Sequence, residues 1–346
     1  MKSVFVGLSG GVDSAVSAYL LQKEGYAVTG VFIRIWQPEF LECTWEQDRL
    51  DAKRVASALS IPFRELDLSH IYKETVIADM VSAYAQGQTP NPDVLCNRAI
   101  KFGAFATWAL EQGADFVATG HYARIETGGS HRLLRGVDRA KDQAYFLWQV
   151  RMDQLAHILF PVGGFPKSET RAIALANRLP VARRADSQGL CFIGAVDLGD
   201  FLARFISMRD GEVVDTEGRI VGVHRGVSRY TKGQRHGFQM NNAETATEPH
   251  FVVQILPDEN KIVVSTNIRD AMSDSCQLAN CNWLQPIPEN GVVHAEARYH
   301  QTPIPARVEQ RGNDATLYFT EPAILSVGQS VVMYQGDVVI GGGIIT

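Results

Sequence analysis

The sequence predicts an α/β N-terminal domain, a parallel sheet with helices on both faces, followed by an all-β central domain and a C-terminal β-barrel domain. Three observations predict it. Through about the first 120 residues, short apolar β-branched runs alternate with longer runs of helical period, which is the pattern of β-α-β units. From about residue 210, short period-two runs separated by turn residues take over. Between the two regimes Pro161, Gly163, Gly164 and Pro166 mark a joint.

Taken in order, Val4, Phe5 and Val6 form a first buried strand, and residues 15–24 a helix stopped by Gly25. Residues 27–33 repeat the apolar run. In 45–59 a helix places Ala52, Val55, Ala56 and Leu59 on one face. A strand at 61–68, helices at 70–86 and 98–112, and a strand at 115–119 running into Gly120 and His121 complete the alternation. Residues 167–179 read as a helix after the joint. Strands follow at 251–256, 261–265, 292–299, 306–310, 315–319, 330–334 and 338–340, parted by turns such as Asp258-Glu259-Asn260 and Gly312-Asn313-Asp314. The expected domains are 1–205, with a helical extension from about 150, then 206–275 and 276–346.

With 45% hydrophobic and 21% charged residues in a chain of 346, a substantial core is available. The opening residues Met1-Lys2-Ser3-Val4 lack a long apolar segment, and no run approaches a membrane span; the expectation is a cytoplasmic protein without a membrane partner. Five cysteines do not make a disulfide scaffold at this length, and their odd number fits a reducing compartment. The net charge of −5 does not favour nucleic acid, yet residues 130–240 carry 17 Lys and Arg against 11 Asp and Glu. Arg183, Arg184, Arg225, Arg229, Lys232 and Arg235 are the densest part, with Tyr230 and Phe238 available for stacking on bases. The same surplus also fits a solvated surface.

The stretch "LSGGVDSAV" lies between the first strand and the first helix. There, free backbone N–H groups and the positive helix end face one point, and the glycines let an anion approach. Its spacing matches neither the kinase-type P-loop nor the dinucleotide fingerprint. No lysine follows the glycines, and Asp13 would repel phosphates unless a divalent cation intervened. Those features point to a nucleotide with magnesium, the alternative being a glycine-rich turn with a solvated aspartate. S-G-G-x-D-S after the first strand resembles the PP-loop of the ATP pyrophosphatases, which transfer AMP to an oxygen and release pyrophosphate.

In "NPDVLCNRAIKF", Cys96 falls just before a helical pattern, with Arg98 and Lys101 near it in sequence. Both features favour the reactive thiolate, and Asp93 lies within reach as an acid or base; a lone cysteine beside an apolar helix is more often buried filler. Cys191 follows Gly189 in "DSQGLCFIG". No C-x-x-C pair occurs, and Cys276 and Cys281 lack histidines at zinc-ligand spacing, so no metal site is expected. Cys43, Cys276 and Cys281 read as structural.

The ordered set "GLSGGVDSAV", "TPNPDVLCNRAIKF", "ATGHYAR", "KDQAYFLW", "DSQGLCFIG" and "GGGII" resembles the tRNA-specific 2-thiouridylase family over nearly the whole chain. The resemblance implies a nucleotide-hydrolase-like first domain that binds ATP and magnesium. It implies adenylation of the C2 oxygen of a wobble uridine, followed by sulfur transfer from a cysteine persulfide. Cys191 would carry the persulfide, received from a sulfur-relay protein or cysteine desulfurase. Cys96 would be its catalytic partner, forming a transient disulfide with it, and Asp93 the acid/base. ATP contacts map to Gly7, Leu8, Ser9, Gly10, Gly11, Val12, Asp13, Ser14, Ile33 and Gly120. Target-base contacts map to Asn91, Pro92 and Asp93, and tRNA contacts to His121, Lys141, Asp142, Gln143, Arg298, Tyr299 and Gln329. The substrates would be tRNAs with a wobble uridine, the Lys, Glu and Gln acceptors.

Four positions depart from the family pattern: Ile33 stands where methionine is common, Lys232 where an apolar residue is usual, and Ser228-Arg229 where bulkier apolar residues are. The rival readings are another PP-loop enzyme, an amide or argininosuccinate-type ligase, which would need no paired cysteines, and a non-catalytic tRNA-binding protein with a decayed site, which would consume no ATP.

Overall fold

The structure, a computed structural model, describes residues 1–40, 45–186, 197–241 and 248–346. Cys43 and Cys191 lie outside the described residues. Two compact units divide the chain, Met1–Val76 with Pro92–Ala195 and Gln335–Gly341, and Ile77–Asn91 with Val196–Tyr334 and Gly342–Thr346.

In the first unit the strands are β1 (Ser3–Gly7), β2 (Ala27–Arg34), β3 (Phe63–Asp67), β4 (Phe116–Ala118), a hairpin of β5 (Ala123–Gly128) and β6 (Ser130–Arg135), and β7 (Ile158–Leu159). The sheet order is β3-β2-β1-β4-β7, with every pairing parallel. Val4 and Val6 of the central strand are fully buried, as the apolar run requires of a strand covered on both faces. Val6 stands opposite Gly30 on one side and Ala118 on the other. The loops after β1 and β4 therefore leave the sheet side by side at its carboxyl edge, where the chain order reverses and α/β folds place ligands.

Several boundaries move from those predicted. The first helix is Val12–Lys23 and begins three residues earlier than its periodicity indicates; it is buried almost all round, at Ser14, Ser17 and Ala18 as well as Val16 and Leu21, so no apolar stripe marks its start. Trp45–Ala58 buries Ala52, Val55 and Ala56 as its spacing predicts. The helix expected at 98–112 is part of a longer helical run, 92–111, whose middle stretch Asn97–Phe105 is wound as a π-helix. Pro92 occupies its first position, where the missing N–H costs nothing. Cys96 consequently sits a turn inside the helix, fully buried, rather than ahead of its N-terminus. The β5–β6 hairpin was not expected in this half. Arg124 anchors it by donating to Asp337 at 2.8 Å.

The second unit contains the helix Ala78–Ala85 and two β arrangements. A five-stranded sheet runs in the order β10 (Phe238–Met240), β9 (Ile220–His224), β8 (Gly211–Val214), β12 (Lys261–Ser265), β11 (Phe251–Leu256). Its core gathers Val213, Tyr230, Val252, Ile262 and Val264. The remaining strands, β13 (Met272–Trp283), β14 (Val292–Glu296), β15 (Ile304–Arg311), β16 (Asp314–Ile324), β17 (Ser330–Gln335) and β18 (Val338–Ile345), follow the order β13-β16-β15-β14-β17-β18, and β18 pairs back to β13. Closure leaves this barrel no free edge. No helix among the described residues is long and apolar enough to cross a membrane.

Candidate active site

β1 ends at Gly7, and the Leu8 amide still donates to the Val31 carbonyl at 2.8 Å, so the chain turns off the sheet only at Ser9. Gly11 is the N-cap of the Val12–Lys23 helix, with extended backbone and no side-chain cap. The first-turn amides are thus left to an external acceptor. The Ser9 and Ser14 hydroxyls lie 3.2 Å apart, and Ser14 donates to the Gly11 carbonyl. Gly120, leaving β4, lies against this turn. A Cβ there would stand 2.7 Å from the Ser14 amide nitrogen and 2.8 Å from the Asp13 carbonyl carbon, both backbone. Gly120→Ala is expected to push the turn out of shape, weakening the binding of a phosphate-bearing anion there about tenfold or more while the protein still folds; calorimetric titration with inorganic pyrophosphate beside a melting curve checks this. Ile33 is buried on β2, and its side chain approaches the Gly7 position.

Asp13, in the first turn of the helix, holds the centre of an ionic cluster. Lys167 Nζ contacts its two oxygens at 2.7 and 2.8 Å, and the Tyr122 hydroxyl donates to it at 2.8 Å. The same ammonium reaches Asp186 at 2.9 Å, and Asp186 also receives Lys141 at 3.1 Å and Arg171. Partial burial raises the Asp186 carboxyl, but the hydrogen bonds from Lys167 and Lys141 outweigh it and hold the pKa at about 2. Burial, then the Asp13 charge, push the Tyr122 phenol far up, so it stays a donor. Arg184 pairs with Asp48 and, at 2.9 Å, with Asp51, and donates to the Gly10 carbonyl at 3.1 Å, tying the loop to the neighbouring helix.

The helical run 92–111 carries Asp93, Cys96 and Lys101. Lys101 Nζ lies 3.3 Å from His121 Nε2, and Thr119 Oγ1 lies 2.7 Å from Nδ1. An ammonium only donates, so Nε2 is the acceptor and the imidazole proton sits on Nδ1, directed at Thr119. The ring is 7% exposed and packs against Phe102 and Phe160. Burial, with the Lys101 charge behind it, holds the imidazole well below its usual pKa. The unfolded chain therefore takes up a proton at pH values where the folded chain does not. The stabilisation is complete above about pH 6.5 and falls by about 1.4 kcal/mol per unit as pH drops below it. Denaturant titrations at pH 7.5 and 5.5 are expected to show this fall, reduced in His121→Asn.

Of the other expected contacts, Lys141 is in the ionic cluster, while Gln143 exchanges hydrogen bonds with the backbone of Tyr122. The Asp142 carboxylate is buried, accepting from the Gly136 and Ala144 amides and from Arg135. Burial raises its pKa against those hydrogen bonds. In the second unit Asn91 Nδ2 reaches Gln329 Oε1 at 3.4 Å, bringing together two expected contacts far apart in sequence. Arg298 donates to the Lys232 carbonyl and, at 3.3 Å, to Ser326 Oγ; next to it, Tyr299 is 36% exposed. Ser228 is buried, Arg229 pairs with Asp200 at 3.0 Å, and burial lowers the Lys232 ammonium. Cys276 and Cys281 lie on β13, their thiols pushed up to about 12 by burial, which keeps them unreactive.

Lys167, Tyr122, Arg171, Asp186, Lys101 and Thr119 were not among the expected site residues. One signal was present in the sequence. Lys167 directly follows Pro166 at a helix start, where the dipole disfavours a cation.

Three family models match the chain: the tRNA methyl transferase HUP domain over residues 2–195, its PRC-barrel domain over 199–266, and an aminomethyltransferase beta-barrel domain over 273–345. A protein of Nitrosomonas europaea named tRNA-specific 2-thiouridylase MnmA is 40% identical, covering 99% of this chain and 97% of that relative. One of the same name from Enterococcus faecalis is 40% identical over 99% and 94%. Among solved structures, the U34-tRNA thiolase NcsA of Methanococcus maripaludis aligns with a TM-score of 0.38 at 19% identity, covering 60% of this chain and 64% of that one.

Proposed function

The chain belongs to the tRNA-specific 2-thiouridylase family, and from that premise we propose that it converts the wobble uridine of tRNA to 2-thiouridine at the expense of ATP. The uridine C2 oxygen attacks the α-phosphorus, pyrophosphate leaves, and the ring carries AMP on C2. The outer sulfur of a persulfide on Cys191 attacks C2 and AMP departs. Cys96 thiolate then attacks Cys191 sulfur, the S–S electron pair stays on the sulfur bound to C2, and a Cys96–Cys191 disulfide forms for a reductant to reopen. Asp93 moves the proton at the base, with Asn91 and Pro92 beside it.

The observation that carries this reading is the tie between thiol helix and nucleotide loop. Lys101, five residues beyond Cys96, holds His121, which follows Gly120 against the loop's first turn. The descriptions of the matching domain models name methyl transfer, but an anion-binding loop joined through His121 and Lys101 to the helix that carries Cys96 suits activation of an oxygen followed by sulfur transfer. Gly7, Leu8, Ser9, Gly10, Gly11, Val12, Asp13, Ser14, Ile33 and Gly120 are the proposed ATP contacts. Among the described residues no three His, Cys, Asp or Glu side chains cluster to hold a metal, and both Asp13 oxygens contact Lys167. Magnesium therefore fits this site as an ion carried in on the phosphates, whose charge it would offset.

For the tRNA, Lys141, Gln143, Arg298, Tyr299 and Gln329 are the proposed contacts. His121 and Asp142, being buried, contribute by holding Lys101 and the loop 136–144. The proposed substrates remain the Lys, Glu and Gln acceptors, the sulfur donor a relay protein or desulfurase, and the compartment the cytoplasm. Mass spectrometry of tRNA after incubation with ATP, magnesium and a sulfur donor is expected to show 2-thiouridine at the wobble position. Pyrophosphate released without that product would transfer the assignment to the amide-forming or argininosuccinate-type ligases.

A further inference from the structure

We propose that Lys167 is the phosphate-binding cation that the loop itself lacks, gripping the β- and γ-phosphates of ATP and then the departing pyrophosphate. The inference rests on the nucleotide reading of the loop and extends it to a residue 154 positions from Asp13 in sequence. Lysine is poorly placed here by every local criterion. It occupies the first position of the Lys167–Ala176 helix, against the dipole, and it is 9% exposed. Its backbone amide is pinned by Asp138 at 2.9 Å, and its ammonium lies 5.6 Å from the Tyr122 ring centroid.

The arrangement of partners shows how the ammonium becomes available. Its three N–H donors meet two oxygens of Asp13 and one of Asp186. Asp186 has Lys141 and Arg171 as further cations, so it can release Lys167 and remain paired. Among the described residues Asp13 is held by Lys167 and the neutral Tyr122 hydroxyl, and keeps its share. An arriving triphosphate therefore displaces Asp186 from one N–H, leaving Lys167 bridged between Asp13 and a phosphate oxygen. A purely structural ion pair would neither need nor explain a third donor shared with an already satisfied carboxylate.

Calorimetric titration of the full chain with ATP, inorganic pyrophosphate and AMP tests this. Lys167→Met is expected to weaken ATP and pyrophosphate binding about tenfold or more, the size of one lost charge-assisted hydrogen bond, with AMP affinity changed less than about twofold. Lys167→Arg should recover part of the loss, and serves as the test if the methionine variant does not fold. Equal losses for ATP and AMP, or none, would overturn the proposal. So would recovery of full ATP affinity in Asp13→Asn/Lys167→Met, because the lysine would then serve only to neutralise Asp13. A wild-type chain that binds neither ATP nor pyrophosphate would instead remove the nucleotide reading on which this rests.

Discussion

Cys191→Ser is expected to abolish wobble-uridine thiolation, by about 10³-fold or more, while pyrophosphate and AMP are still formed from ATP in the presence of tRNA. The magnitude is that of deleting a nucleophile that acts in concert with its partners. Serine cannot hold a persulfide, so the adenylated base has only water to react with and returns to uridine. Cys96→Ser is expected to fail at a different point. Sulfur reaches C2, but the base stays joined to Cys191 through an S–S bond that nothing resolves. A thiol such as dithiothreitol, attacking the Cys191 sulfur, should release 2-thiouridine from that adduct and restore product to Cys96→Ser but not to Cys191→Ser. Thiolation by Cys191→Ser at the wild-type rate would sink the persulfide route.

What was readable beforehand divides along physical lines. The central strands β1 and β2 and the strands of 251–265 are continuous or alternating apolar runs, and burial follows that pattern closely. The β5–β6 hairpin escaped because its apolar face is short, Ala123 with Ile125 opposite Leu133, and is interrupted in sequence by Arg124, Glu126, Arg132 and Arg135; it is held also through Asp337 and by pairing of Leu134 with Val338. Likewise β13, with Ser273, Asp274, Ser275, Asn280 and Asn282, reads as a loop and becomes a strand only through its neighbours in the barrel. In the site, the anion loop is local in sequence and was legible from its glycines and serines. The Asp13–Lys167–Asp186 cluster was not, since its members come from three separate segments and only the fold joins them. The magnesium argument changed for the same reason. The charge on Asp13, read alone, called for a metal ion, and the fold supplies an ammonium.

The joint at 161–166 was legible as a break, but its function is steric. A Cβ on Gly163 would stand 1.6 Å from the Ala123 carbonyl oxygen and 2.5 Å from the carbonyl carbon. Neither backbone atom can turn aside as a side chain does, so β5 or the 160–166 turn must move. The turn has little freedom: Gly163 N–H donates to Phe160 and its carbonyl receives Val137. Gly163→Ala is therefore expected to cost about 3 kcal/mol or more, the upper range for overpacking. Gly164→Ala, with nothing within 4 Å of its Cβ, should lie within about 0.5 kcal/mol of wild type. Denaturant midpoints of the two variants, compared side by side, check the difference. The effect should also reach the active site, because Tyr122 immediately precedes Ala123 and Lys167 immediately follows Pro166, so either displacement pulls a partner away from Asp13. Molecules of Gly163→Ala that remain folded should therefore bind ATP more weakly than Gly164→Ala does. Equal stability and equal ATP affinity in the two variants would contradict the close approach of these two backbone segments.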